Sequence, residues 1–166
     1  VGTRASYYDK SGALKDMVQN HLLQVLSLVA MEEPKGTESI RIHESQYNLL
    51  SALKPIEDVR DSLVMGQYEG YLQEENIPID SKTETYAALK LYIDNERWEG
   101  VPFFIRTGKK MDNRETQVVV QFKAVGDVPG NVLIIRIQPD EGVYFQFNAK
   151  KPGTEQGLQQ ISLDFC

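Results

Sequence analysis

The stretch Gly12-Ala13-Leu14-Lys15-Asp16-Met17-Val18-Gln19-Asn20-His21-Leu22-Leu23-Gln24 lies at the centre of the strongest pattern in the chain. Large apolar residues recur at spacings of three and four, which predicts one face of a long helix. They are Leu14, Val18, Leu22, Val25 and Val29. Ser11 is placed to cap the first turn, and Pro34 limits the helix because the residue before a proline is pushed out of the helical region. Leu26 and Leu28 widen the apolar face, so the helix is expected to be buried on most sides.

Polar residues interrupt this apolar helix. They are Asp16, Gln19, Asn20, His21 and Gln24. A histidine changes its charge near neutral pH, so His21 is suited to act as a general base. Asp16 lies five positions earlier, about 140° around an ideal α-helix, so the two side chains are not expected to share a face. The residues alone leave open a second interpretation, in which His21 is a hydrogen-bonded histidine within a polar seam of the core.

The second half of the chain has the pattern of a sheet. Strands are predicted at residues 86–93, 101–106, 116–123, 131–138 and 142–149, and the run 161–166 is also typical of a strand. A helix competes at 86–93, because alanine, leucine and lysine are helix formers. Short turns between strands imply antiparallel pairing, and no helices alternate with the strands. The predicted fold class is therefore α+β: one mainly antiparallel sheet with the long helix, and a shorter one near residues 40–53, packed on one face.

Composition limits the kinds of partner. The net charge of −6 over 166 residues argues against a nucleic-acid surface and an anionic membrane surface, and no apolar run approaches a membrane span. Two histidines and one cysteine show no metal-ligand spacing. Cys166 is the only cysteine, which fits a reducing compartment such as the cytoplasm. The chain starts at Val1 and stops in a strand-like run, so we expect a fragment of a longer protein.

Four cations lie close together at the end of one predicted strand and in the loop after it. They are Arg106, Lys109, Lys110 and Arg114. Arginine and lysine together suit a phosphate or carboxylate ligand, whereas the alternative is a solvated charged loop. Gln138, at the end of another apolar strand, is a third candidate, and an outward-facing strand residue is the alternative there.

Four stretches taken together resemble a known family. They are residues 16–24, Thr83-Glu84-Thr85-Tyr86, residues 97–109 and Ile137-Gln138-Pro139. In this order and at this spacing they are similar to the glucose-6-phosphate dehydrogenase family, and the resemblance runs through essentially all of residues 1–166. It implies an oxidoreductase that passes a hydride from C1 of glucose 6-phosphate to NADP, and a homodimer that forms through the sheet.

The resemblance also implies the roles of individual residues. His21 matches the base that takes the proton from the C1 hydroxyl of the sugar. Asp16 matches a carboxylate that hydrogen-bonds substrate hydroxyls, and Lys109 matches a lysine that contacts glucose 6-phosphate. Arg114 and Gln138 match further substrate contacts.

The departures from the family pattern are large. The dinucleotide-binding (Rossmann) domain of the family, with its glycine fingerprint, comes before the region that this chain resembles. Residues 1–166 are therefore expected to be the central part of the C-terminal, substrate-side domain, with NADP bound mainly by the N-terminal domain. We expect this chain alone to be inactive. The alternative is a non-catalytic module that assembles through its sheet.

Overall fold

The computed structural model describes residue 2, residues 5–153 and residues 157–165. It divides into two compact units, Val1–Lys110 and Met111–Cys166, which are described separately. The expectations about Val1 and Cys166 fall outside the described residues. The predicted α+β class is confirmed, with helices in the first unit and antiparallel strands in both.

The predicted long helix is present, but its first half is not an α-helix. Leu14–Leu22 form a π-helix that continues directly into α2, Leu23–Ala30. The N–H of Leu23 donates to the carbonyl of Val18, five residues earlier, which is the hydrogen bond that defines a π-helix. The other helical elements of the first unit are α1 (Ala5–Tyr8), α3 (Ser39–Ser51), α4 (Val59–Ser62) and a 3₁₀ turn (Tyr71–Gln73).

A three-stranded antiparallel sheet completes the first unit, in the order β1-β2-β3. The strands are β1 (Leu63–Gly66), β2 (Tyr86–Leu91) and β3 (Phe103–Gly108). The strand prediction near residue 86 is confirmed and its helical alternative is wrong. Strand β3 runs on through Thr107 and Gly108, because both pair with β2. The sequence pattern missed α4, whose first turn is capped by the Asp58 carboxylate.

The π-helix and α2 pack against this sheet. Ala13 and Val18 form one buried cluster with Ala87 of β2. A second cluster joins α2 to α3 and to the end of β2, and its members are Leu26, Ala30, Leu49, Leu91 and Ile93. The expectation that the long helix is buried on most sides was wrong, since Leu28 is 53% exposed and His21 and Gln24 are exposed too.

Trp98 fixes the end of α2. Its indole N–H donates to the carbonyl of Ala30 at 2.8 Å, and its ring meets Phe103 edge to face at 5.1 Å. The last carbonyls of a helix have no partner within the helix, so this bond satisfies one of them. Arg97 and Glu32 add an exposed ion pair at 3.1 Å. The loop before β3 is thereby tied to the end of the long helix.

The second unit is a four-stranded antiparallel meander in the order β4-β5-β6-β7. Its strands are β4 (Thr116–Gln121), β5 (Val132–Gln138), β6 (Gly142–Lys150) and β7 (Leu158–Phe165). Each coincides with a predicted strand to within a few residues. The expectation of one sheet was wrong, since the described strands form two sheets and the long helix packs on the smaller.

Candidate functional site

The π-helix changes the relation between Asp16 and His21. In an α-helix, with 3.6 residues per turn, residues five apart point in different directions. A π-helix is wider and bonds each residue to the fifth one along, so residue i+5 comes round nearly above residue i. The angle of about 140° between Asp16 and His21 assumed α-helical geometry and does not apply to this helix. The π-helix brings the backbone positions of the two residues nearer to one face.

His21 lies at the surface of the first unit. The residue is exposed, as are Gln19 and Asn20 beside it. Among the described residues, none makes a hydrogen bond with the His21 imidazole. The polar-seam interpretation is therefore wrong, since a core histidine would be buried and paired.

The two consecutive lysines after β3 have different surroundings. Lys109 is half-buried, and its ammonium lies 5.0 Å from the centre of the Tyr8 ring. The backbone N–H of Lys109 donates to the carbonyl of Thr85 at 2.9 Å. Lys110 instead lies 3.3 Å from a Glu74 carboxylate oxygen and 4.4 Å from the centre of the Tyr68 ring. The positive φ of 52° at Lys110 marks the end of the strand and turns the chain. Only Lys109 of the two lies beside Tyr8.

Glu74 is strongly held in its ionised form. The hydroxyl of Tyr68 donates to it, and this hydrogen bond is the largest of several contributions, Lys110 among them, that lower the pKa of Glu74 from 4.5 to about 2. The pKa of Tyr68 is raised, first by burial and then by the bond to Glu74. Lys110 is consequently engaged with an acidic partner of its own chain.

Tyr8 connects the helix to Lys109. It is 3% exposed, and its hydroxyl has no partner among the described residues. The pKa of Tyr8 is raised to about 12, first by burial and then by the carboxylates of Glu84 and Asp16. Tyr8 is therefore neutral at physiological pH. Its ring contacts the Lys109 ammonium, and its hydroxyl is within electrostatic range of the Asp16 carboxylate.

The start of the helix is held by a residue far away in sequence. The N–H of Leu14 donates to the Glu84 carboxylate at 2.9 Å, and the N–H of Ala13 donates to the Glu84 carbonyl at 3.0 Å. The prediction that Ser11 caps the helix was wrong, because its hydroxyl donates back to the carbonyl of Tyr7. A carboxylate also favours the positive end of the helix dipole.

Asp9 ties the chain before the π-helix to the segment before β2. Its carboxylate accepts from the hydroxyls of Tyr71 and Ser81, and its carbonyl accepts from the hydroxyl of Thr83. The Ser81 hydrogen bond, followed by those of Tyr71 and Thr83, holds the pKa of Asp9 below its ordinary value. Sequence reasoning missed this network, since its partners are more than 60 residues apart in the chain and no local pattern reports such a contact.

Arg114 and Gln138 lie together at one end of the sheet in the second unit. Gln138 is the last residue of β5 and pairs in register with Thr116, two positions after Arg114. Both side chains belong to exposed residues. Arg136, earlier on β5, is instead 3.9 Å from Asp164 and stacks near Tyr144. The outward-facing position of Gln138 agrees equally with its two interpretations.

The described ranges lack the features of a metal site and of a membrane-spanning helix. They contain no group of three or more histidine, cysteine, aspartate or glutamate side chains arranged to hold a metal ion. None of their helices combines the length and the apolar character that crossing a membrane requires.

Fold and site together define an α+β domain that presents an imidazole, a carboxylate and an ammonium group from one unit. The family model described as "Glucose-6-phosphate dehydrogenase, C-terminal domain" matches residues 1–166. The chain belongs to this family, and the resemblance read from the four stretches is confirmed.

Individual relatives agree with the family match. Glucose-6-phosphate 1-dehydrogenase of Bacillus subtilis (strain 168) is 45% identical, over 100% of this chain and 38% of the relative. The cytoplasmic isoform of Solanum tuberosum is 43% identical, over 97% of this chain and 32% of the relative. A solved structure described as glucose-6-phosphate dehydrogenase in complex with its substrate glucose-6-phosphate has a TM-score of 0.89 and 39% identity, and the match covers 98% of this chain and 36% of that one. The chain thus spans about a third of the length of these relatives.

Proposed function

We propose that residues 1–166 are the substrate-side part of an enzyme that oxidises glucose 6-phosphate at C1 to 6-phosphogluconolactone. The activity is proposed for the full-length protein that contains this region. The names of the relatives support it, and so does the substrate in the similar solved structure. The observation within the chain that carries it is the π-helix that bears both Asp16 and His21, together with the contact of the Lys109 ammonium with the Tyr8 ring, whose hydroxyl is within electrostatic range of Asp16.

Three side chains have distinct roles in the proposed reaction. His21 accepts the proton of the C1 hydroxyl, while the hydride leaves C1 and the carbonyl of the lactone forms. Asp16 accepts hydrogen bonds from sugar hydroxyls and sets the distance between C1 and the imidazole. Lys109 pairs with the phosphate, since an ammonium group is a compact partner for a phosphate oxygen. Arg114 and Gln138 are proposed as further substrate contacts.

NADP supplies the hydride acceptor in this proposal, and the described residues do not fit it. All strand pairs in both sheets are antiparallel, whereas a dinucleotide site is built on a parallel strand, a glycine-rich turn and a helix. We therefore assign NADP to a separate N-terminal domain of the full-length protein. A cytoplasmic location is proposed too, because the relative from Solanum tuberosum is named a cytoplasmic isoform.

The test is turnover by the full-length protein. With glucose 6-phosphate and NADP we expect steady formation of NADPH, and with glucose in place of its phosphate we expect the rate to fall to background. Residues 1–166 alone should give no turnover. Absence of turnover by the full-length protein, or turnover by residues 1–166 alone, would contradict the proposal.

A second candidate function is a dimerisation module. The sheet of the second unit exposes large apolar side chains, and β4 and β7 are its edge strands. The exposed residues include Val119, Phe122, Leu163 and Phe165. Sizing chromatography of residues 1–166 tests for a dimer, and calorimetry with glucose 6-phosphate tests for binding. A dimer that does not bind the sugar phosphate favours this second function for the isolated chain, whereas a monomer that binds the sugar phosphate excludes it.

A further inference from the structure

We propose that Glu84 is a positioning residue, which fixes the π-helix bearing Asp16 and His21 at a set distance from Lys109. The inference rests on the proposed function and adds a residue that touches none of the reacting groups. Glu84 belongs to one of the four stretches that carry the family resemblance, but no chemical role follows from its sequence context.

The first step is the cap itself. Glu84 accepts two hydrogen bonds at the start of the helix. Its backbone carbonyl accepts from the N–H of Ala13, and its side-chain carboxylate accepts from the N–H of Leu14. The first amides of a helix have no partner within the helix, so these two bonds decide where it begins and how it is oriented. Asp16 follows Leu14 by only two residues, within the turn that Glu84 holds.

The second step is the fit of Gly12 to Glu84. Gly12 has φ of +69°, and a Cβ on it would come within 2.6 Å of the Glu84 carboxyl carbon. A glycine is the residue that adopts this backbone conformation without strain and leaves room for the carboxylate. The absence of a side chain at Gly12 therefore leaves the space at the helix start that the Glu84 carboxylate occupies.

The third step links the same segment to Lys109. The next residue, Thr85, is fully buried, and its carbonyl accepts from the Lys109 N–H at 2.9 Å. The Thr85 N–H donates to Gly66, and its hydroxyl accepts from Tyr68 at 2.8 Å. Glu84 therefore binds the start of the π-helix, and the next residue, Thr85, binds Lys109. Thr85 is itself buried and hydrogen-bonded.

This arrangement predicts a kinetic effect. A shift of about 1 Å between catalytic groups can cost about a hundredfold in rate. Loss of the Glu84 carboxylate frees the helix start, while the Thr85 bond keeps Lys109 in place. The distance between His21 and Lys109 then varies. The resulting fall in kcat/KM is expected to include a lower kcat as well as a higher KM.

Three variants of the full-length protein separate the effect of side-chain length at position 84 from the effect of its charge. Glu84→Gln keeps an acceptor at the same distance from Leu14, Glu84→Asp keeps the charge but is one methylene too short, and Glu84→Ala removes both. We expect Glu84→Asp and Glu84→Ala to lower kcat/KM for glucose 6-phosphate by about 10- to 100-fold, with kcat reduced. We expect Glu84→Gln to stay within about threefold of the wild type, since a neutral acceptor is somewhat weaker than an ionised one.

The control is Glu57→Ala, an exposed glutamate of the same unit without a hydrogen bond or ion pair among the described residues. A wild-type kcat for Glu84→Asp, or a Glu84→Gln variant as slow as Glu84→Asp, would overturn the inference. A lower melting temperature with unchanged kcat would overturn it too, because that result is expected of a purely structural cap. If Glu84→Ala does not fold, the comparison of Glu84→Asp with Glu84→Gln decides by the same criteria. A wild-type protein that does not oxidise glucose 6-phosphate would instead refute the proposed function.

Discussion

The two units hold their candidate residues in different ways. In the first unit, bonds between distant parts of the chain fix the π-helix and β3, as in the bonds of Glu84 to Leu14 and of Trp98 to Ala30. In the second unit, antiparallel strand pairing with one register shift at Thr116 and Gln117 positions the backbone, and Arg114 and Gln138 are exposed at that end of the sheet. Under the proposed function, we expect the first unit to supply groups whose exact placement sets the rate. We expect the second unit to supply groups that contribute mainly to affinity.

Among the proposed substrate contacts, the largest effect is expected for Asp16 in the first unit. Asp16→Asn in the full-length protein should lower kcat/KM for glucose 6-phosphate by about 30- to 150-fold, because a hydrogen bond to an ionised group contributes about 2–3 kcal/mol. Steady-state kinetics measures it. Asp80→Asn, at an exposed aspartate of the same unit, is the control and should match the wild type. An Asp16 variant within threefold of the wild type would remove this carboxylate from the site.

The next effect separates two neighbouring lysines. Lys109→Ala should raise KM for glucose 6-phosphate by about 10- to 100-fold, in line with the loss of a charged contact. Lys110→Ala should leave KM within about twofold, because that ammonium is engaged by Glu74 and Tyr68. Initial rates over a range of substrate concentrations test both. Equal effects of the two substitutions would show that the loop acts as a general positive patch.

Smaller effects are expected in the second unit. Arg114→Ala and Gln138→Ala should each raise KM by about 2- to 12-fold with little change in kcat, as expected for single exposed hydrogen bonds. Lys123→Ala, at another exposed cation of this unit, is the control. A fall in kcat larger than the rise in KM for either variant would contradict the division between the two units.

The smallest effect concerns stability and pH. The pKa of Glu74 is lowered to about 2, so its contribution is present above its ordinary value of 4.5 and is lost as the pH falls towards 2. Glu74→Gln should lower the melting temperature of residues 1–166 by about 2–4 °C at pH 7. The gap between variant and wild type should narrow from pH 5 to pH 3. A gap that widens on acidification would contradict the assignment of the Tyr68 and Lys110 contacts as stabilising.

Local patterns predicted most of the fold. Alternating residues at 86–91 and apolar runs such as Val132–Gln138 identified strands, because sheet faces repeat every two residues. The apolar spacing of Leu14, Val18 and Leu22 identified a helix but not its type. The difference between i+4 and i+5 bonding depends on what holds the helix, and here the nearest constraint is Glu84, 70 positions after Leu14.

The candidate site was less readable from the sequence. His21 and Lys109 stand out by residue type and by the family resemblance, whereas Tyr8 and Glu84 look like ordinary surface residues of a polar segment. Tyr8 matters because its buried ring contacts the Lys109 ammonium and its hydroxyl is within electrostatic range of the Asp16 carboxylate. Such a position depends on contacts more than 70 residues apart in the chain, and no single-sequence period encodes it.

The most direct test of the account separates chemistry from binding at His21. For His21→Asn in the full-length protein we expect kcat to fall by about 10²- to 10⁴-fold, the range for loss of a general base. Calorimetry should show glucose 6-phosphate binding within about threefold of the wild type, because Asp16 and Lys109 remain in place. A variant that turns over at a near-normal rate, or one that no longer binds the sugar phosphate, would contradict the assignment of His21 as the base.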